Sequence, residues 1–233
     1  MDFLLEALAR AWSMLRAGDP EVFSAVKTTL QVTLASVTIA AALALPTGYA
    51  LALAEFPGRK AVVTALHTLV SVPTVAIGLV VYAMLSRRGP LGELGWLYSK
   101  KAIVLGQVLL ALPLLTALSL ATTEAIDRRL WQTVASLGGG RLHAFREALH
   151  EARHAYAAAA VAAFGRVVSE VGISIMVGGN IRGRTRTVTT AIALETTKGE
   201  FETGLALGLI LVLLAFSVTG LATVLRERKP VRA

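Results

Sequence analysis

The chain has 233 residues, 55% hydrophobic and 16% charged, with a mean hydropathy of +0.66, which argues against a soluble globular domain. Its 23 Lys and Arg against 15 Asp and Glu leave a formal charge of +8, but the basic residues cluster at the ends of apolar stretches and no aromatic-interleaved basic platform is present, so nucleic acid is not the implied partner. Cysteine is absent, which excludes disulfides, thiolate metal sites and cysteine nucleophiles.

In residues 1–26, Asp2, Glu6 and Arg10 interrupt any signal-peptide core, and no cleavage-like site follows. Leu4, Leu8, Ala11, Trp12 and Leu15 recur at helical spacing instead. This predicts an amphipathic helix, either interfacial or solvated, ended at Asp19-Pro20.

Five stretches follow that are long enough, at roughly 20 residues, to cross a hydrocarbon core of about 30 Å. They predict spans at 28–54, 61–86, 102–123, 155–178 and 203–225, hence an all-α integral membrane protein with five transmembrane helices. Pro46, Gly48, Pro73 and Pro113 fall inside these spans and are tolerable where neighbouring helices re-satisfy the backbone. A basic tail occupies 226–233.

The connection at 124–154 carries its own periodicity. Ile126, Leu130, Trp131, Val134 and Leu137 give one short amphipathic pattern, Gly138, Gly139 and Gly140 break it, and Leu142, Phe145, Ala148 and Leu149 give a second. The pattern predicts two short helices joined by a glycine turn, and spacing alone favours a simple flexible turn.

With five spans the termini lie on opposite sides, but 11 basic residues would then fall on each side, so the charge distribution does not orient the chain.

Arg166 and Glu170 stand four apart in the fourth span, on one helix face, where each neutralises the other and neither is expected to face lipid. They mark either a wet pathway or an ion pair that locks the bundle. The segment 178–187 is rich in glycine, hydroxyls and positive charge. Asn180, Arg184, Thr185 and Arg186 are its candidate contacts for an oxyanion, against the alternative of a basic loop held near lipid phosphates.

His150-Glu151-Ala152-Arg153-His154 matches H-E-x-x-H, the zinc-protease helix pattern. Yet Arg153 separates the histidines, and Glu170 is the only nearby third ligand. No Gly-Lys pair exists, so the chain holds no P-loop and any ATP must be hydrolysed elsewhere.

Ala135-Ser136-Leu137-Gly138-Gly139-Gly140-Arg141-Leu142-His143-Ala144-Phe145, followed by Phe164-Gly165-Arg166 and Ser169-Glu170-Val171-Gly172, resembles the coupling segment and following helix of bacterial type I, MetI-like ABC importer permeases. The chain departs from that signature with Gln132-Thr133-Val134 in place of Glu-Ala-Ala, and His150-Glu151 where Leu-Pro would fall. Glu151-Ala152-Arg153 resembles the tungstate permease branch, which accounts for most of the H-E-x-x-H match. So do Gly178-Gly179-Asn180-Ile181-x-Gly183-x-Thr185-Arg186, the run Thr189 to Thr196, Lys198-Gly199, Pro73-Thr74-Val75 with Gly78 to Tyr82, and Gly89-Pro90-Leu91-Gly92. Molybdate permeases share the Gly-Asn-Ile-x-Gly-x-Thr core, and the likeness covers roughly residues 27–225.

The resemblance implies a non-enzymatic permease subunit of a homodimer in the prokaryotic plasma membrane, binding no cofactor itself. ATP and magnesium would sit in a cytosolic ATPase subunit, and an extracytoplasmic binding protein would deliver the oxyanion, most simply tungstate. It also implies that 124–154 and the C-terminus face the cytoplasm while the N-terminus and 178–202 face outward. Ser136, Leu137, Gly138, Gly139, Gly140, Arg141 and Phe145 would couple to the ATPase, and Arg166 and Glu170 would serve the moving fourth span. A membrane zinc protease, and a self-sufficient secondary transporter or structural bundle, are the competing classes.

Overall fold

A computed structural model describes residues 2–227; residues 228–233, most of the expected basic tail, lie outside the described residues. Among the described residues the regular structure is helical throughout.

Helix α1 (Asp2–Ala17) ends at Gly18, whose φ of +66° suits glycine. Asp19 then caps α2 (Pro20–Leu53), accepting from the backbone N–H of Glu21 at 2.8 Å and of Val22 at 3.4 Å, with proline at the first helical position. The boundary expected at residue 26/27 therefore falls inside a helix of 34 residues. At about 1.5 Å per residue α2 outruns the hydrocarbon, so Lys27 marks the edge of the apolar zone and not the end of the helix. Neither expectation for α1 describes it fully: Ala11, Met14 and Leu15 pack onto α11 (Phe201–Glu227), leaving Leu5, Leu8 and Trp12 exposed.

Among the described residues three helices are long and apolar enough to cross a membrane: α2, α5 (Lys100–Glu124) and α11, the last over Phe201–Val224. The other two expected spans are not continuous helices. The second divides into α3 (Arg59–Val70) and α4 (Thr74–Leu85), bent by 96°, and the fourth into α8 (Arg153–Val168) and α9 (Gly172–Gly178), bent by 61°. Pro73 explains the first break, because it lacks an N–H and disfavours helical geometry at Val72. The second has no proline and depends on Glu170, described below.

Apolar burial discriminates little between protein and lipid, so the bundle holds together by close packing and interhelical hydrogen bonds. Helices α2 and α5 approach closely where Gly48 faces Ser119: a Cβ on Gly48 would lie 2.6 Å from the Ser119 Cβ and 2.7 Å from the Thr116 carbonyl oxygen. Ser119 Oγ donates to the Leu45 carbonyl at 3.0 Å, beside the kink-prone Pro46. Ala40 and Ala44 of α2, Ala111 and Leu115 of α5, and Ala163, Phe164 and Val167 of α8 form one core, and the buried hydroxyls of Thr123 and Tyr156 join α5 to α8 at 2.8 Å. A second core gathers Val32, Val81, Ile103, Leu110, Ile173 and Val177 from α2, α4, α5 and α9.

The remaining elements sit at the two ends. Two short helices, α6 (Arg128–Ser136) and α7 (Arg141–Glu151), form a hairpin between α5 and α8. At the opposite end α10 (Val188–Thr197) folds back against α11, with Val188, Thr189, Thr190 and Ala191 buried. The segment after α9 is thus a packed helix with a structured entry, not merely an outer loop.

Candidate functional site

The hairpin turn is shaped rather than loose. Gly138 has φ +73°, its N–H donates to the Ala135 carbonyl at 3.0 Å, and the Gly139 N–H donates to the Val134 carbonyl at 2.8 Å. That is a Schellman closure, with glycine where the left-handed residue is required. A Cβ on Gly139 would meet the Val134 Cγ1 at 2.6 Å, so this position also needs glycine. Gly140 has extended backbone and open space around it, and carries no such requirement. Ser136 Oγ closes on the Thr133 carbonyl at 2.9 Å, and Arg141 is exposed. The apolar side chains that project from the turn are Leu137, 80% exposed, and Leu142, 64% exposed. Phe145 points the other way, against the Tyr49 ring of α2 at 4.9 Å. A helical period does not say which apolar residues of the run 136–145 face outward, and the structure picks out Leu137 and Leu142.

At the break between α8 and α9, the Glu170 side chain is 3% exposed, and the residue joins three segments through its carboxylate and its backbone carbonyl. Oε2 accepts from Arg166 Nη1 at 3.3 Å, Oε1 accepts from the Ile173 N–H at 3.1 Å and so caps the start of α9, and the backbone carbonyl accepts from Thr189 Oγ1 at 3.0 Å. An acid at a helix start also meets the positive end of the helix dipole. The pair is therefore not mid-helix: α8 stops at Val168 and Glu170 lies in the gap. Arg166 remains 42% exposed, with one bond to Glu170. It continues a face of α8 on which Ala155, Ala158, Ala162 and Ser169 are also exposed. The start of α4 lies against this break, since a Cβ on Gly172 would sit 3.3 Å from Val75 Cγ2 and 3.6 Å from Thr74 Oγ1. The two interrupted helices thus meet at their interruptions.

The loop 178–187 uses most of its polar groups to hold itself. Gly179 has φ +71° and lies under the Tyr98 ring, 2.8 Å from where a Cβ would be. Asn180, itself left-handed at φ +48°, donates from Nδ2 to the Thr190 carbonyl and accepts at Oδ1 from Arg186 Nε, each at 3.2 Å. Thr185 is 1% exposed; its Oγ1 donates to the Gly178 carbonyl and accepts from the Ile181 N–H. Arg186 and Arg182 both pair with Glu21 of α2. Among the four residues predicted to meet an anion, Arg184 alone is exposed with a side chain free of a hydrogen bond or ion pair, its backbone N–H donating to the Ile181 carbonyl at 3.1 Å. A cavity of about 520 Å³ adjoins Arg186, but Asp19, Glu21, Glu195 and Glu200 line it beside Arg10 and Lys198, so acidic groups outnumber basic ones there. Arg186→Ala is therefore expected to lower thermal stability by about 1 to 2 kcal/mol through lost bonds to Asn180 and Glu21. Arg184→Ala should leave melting unchanged, and equal melting curves for the two variants would contradict this division.

The H-E-x-x-H run does not lie on one helix. Glu151 ends α7, Ala152 carries the turn and Arg153 begins α8, so the two histidines belong to different helices. Among the described residues no group of three or more His, Cys, Asp or Glu is placed to hold a metal ion.

Residues 44–229 match the family of binding-protein-dependent transport system inner membrane components. The chain belongs to this family. Within it, the chain is 39% identical over 216 residues to the tungstate uptake system permease protein TupB of Campylobacter jejuni, covering 93% of this chain and 90% of that one. It is 40% identical over 208 residues to a probable anion ABC transporter permease protein of Haloferax volcanii, covering 87% and 90%. The molybdenum transport system permease protein ModB of Escherichia coli is more distant, at 28% over 192 residues, 78% and 83% of the two chains.

Proposed function

We propose that this permease is the membrane subunit of an ATP-driven tungstate importer, working as a homodimer with a cytosolic ATPase and an extracytoplasmic tungstate-binding protein. The observation that carries the substrate is the likeness to a tungstate permease along nearly the whole chain, with the molybdenum permease further off. The hairpin α6–α7 faces the cytoplasm and the loop 178–187 faces outward.

On this reading Leu137 and Leu142 are the apolar knobs that enter a groove of the ATPase, and the Schellman turn keeps them presented. Closure of the ATPase moves the hairpin and with it the spans, exchanging inward and outward states. The exposed α8 face ending at Arg166 lines the pathway. A half-free guanidinium at membrane depth offers N–H donors to a tetrahedral oxyanion, while the Glu170 carboxylate limits its net charge so that the ion is not trapped. Transient contacts suffice in the permease, and the binding protein sets most of the selectivity. ATP-Mg stays in the ATPase, and this chain contributes no catalytic residue.

The test is uptake of radiolabelled tungstate by proteoliposomes holding the permease, ATPase and binding protein, with and without ATP and with competing molybdate or sulfate. Uptake that requires ATP and is competed better by tungstate than by molybdate is the expected result. Preference for molybdate would reassign the substrate, and uptake indifferent to ATP would overturn the class.

A further inference from the structure

The hairpin hangs from the bundle by two short covalent links, residues 125–127 to α5 and Ala152 to α8. Neither link joins it to α2. A helix pair held at two points is free to swivel about the line between them, and a swivel would absorb a push from outside without moving the spans. An aromatic contact to α2 opposes that freedom. Tyr49, near the hairpin end of α2, packs against Trp131 of α6 with ring centroids 5.9 Å apart and against Phe145 of α7 at 4.9 Å. Both are within the range of favourable tilted and edge-on ring contacts. Two of the three aromatic ring contacts among the described residues pass through this tyrosine.

Its anchorage is rigid. The preceding residue, Gly48, is buried against Ser119 and the Thr116 carbonyl of α5 so closely that no Cβ fits. Any force on the Tyr49 ring therefore acts on α2 and α5 as one body. From α5 the buried Thr123–Tyr156 hydrogen bond leads to α8, the helix that bears Arg166.

We infer that Tyr49 is a positioning residue for energy coupling: its ring, wedged between Trp131 and Phe145, stops the hairpin from swivelling and converts hairpin displacement into movement of α8 relative to the α2–α5 pair. The inference rests on the ATP-driven reading above. Tyr49 touches no substrate, and its loss is expected to separate hydrolysis from transport.

The experiment measures ATP hydrolysis and radiolabelled tungstate uptake in the same proteoliposomes of permease, ATPase and binding protein. Tyr49→Ala should hydrolyse ATP within about twofold of the wild type while tungstate carried per ATP falls about tenfold, within the usual span of coupling effects. Tyr49→Phe keeps the ring and should restore the wild-type ratio. An unchanged ratio in Tyr49→Ala, or a parallel loss of both activities, overturns the inference. Should Tyr49→Ala not assemble with the ATPase, Phe145→Leu and Trp131→Leu remove one ring contact each while keeping apolar volume, and the same ratio decides. A wild type without ATP-dependent uptake would instead sink the transport reading itself.

Discussion

Glu170→Ala is expected to destabilise the purified permease by about 3 kcal/mol and to abolish uptake. The substitution strands Arg166 without its counter-ion and removes the cap from the Ile173 N–H, while the backbone carbonyl that accepts from Thr189 is kept. Breaking a buried pair costs about 3 to 5 kcal/mol, and the low end applies because Arg166 is half exposed. Glu170→Gln keeps an oxygen for Ile173 and loses only the charge, so it should fall between wild type and Ala. The double variant Arg166→Ala, Glu170→Ala should melt higher than Glu170→Ala alone, since no cation is left unpaired. Thermal denaturation in detergent with parallel uptake makes the comparison. Additive losses in the double variant would show that the two side chains act separately.

The second large effect is on coupling. Gly139→Pro removes the N–H that closes on the Val134 carbonyl and drives a ring toward the Val134 side chain, so the Schellman turn cannot form. The spans pack elsewhere, and the protein should still accumulate in the membrane and resist heat. ATP-dependent uptake should fall at least about tenfold, the size of a typical coupling free energy. Gly140→Ala is the control, because that position has ordinary backbone and empty surroundings, and its uptake should match the wild type. Equal activity of the Gly139→Pro variant would remove the turn from the mechanism.

The contrast between adjacent glycines illustrates what sequence pattern conveys. Three consecutive glycines read as a flexible turn. In the structure Gly138 is needed for its left-handed backbone, Gly139 for the proximity of Val134, and Gly140 for neither. The 96° break had a signal in Pro73 that the apolar run around it obscured. The 61° break had none of that kind: Gly172 and a carboxylate in an apolar stretch are its marks, and four-residue spacing suggests a continuous helix face just where the helix stops. In the loop 178–187, composition predicted four anion contacts. Asn180, Thr185 and Arg186 turned out to be bound to Thr190, Gly178 and Glu21, partners as far as 165 residues away along the chain.

By itself the sequence determined that the protein lies in a membrane, roughly where the apolar stretches run, that two short amphipathic helices interrupt them, and which family it joins. The first three properties follow from hydropathy, helical period and turn chemistry, all of which act over a few neighbouring residues, whereas the family follows from the resemblance of its motifs. Only the tertiary structure decided where two of the spans break, which apolar knobs the hairpin presents, that Tyr49 ties the hairpin to α2, and which loop cation is free. Each of those depends on the burial and hydrogen-bond partners supplied by distant segments, which a periodicity along one segment does not encode.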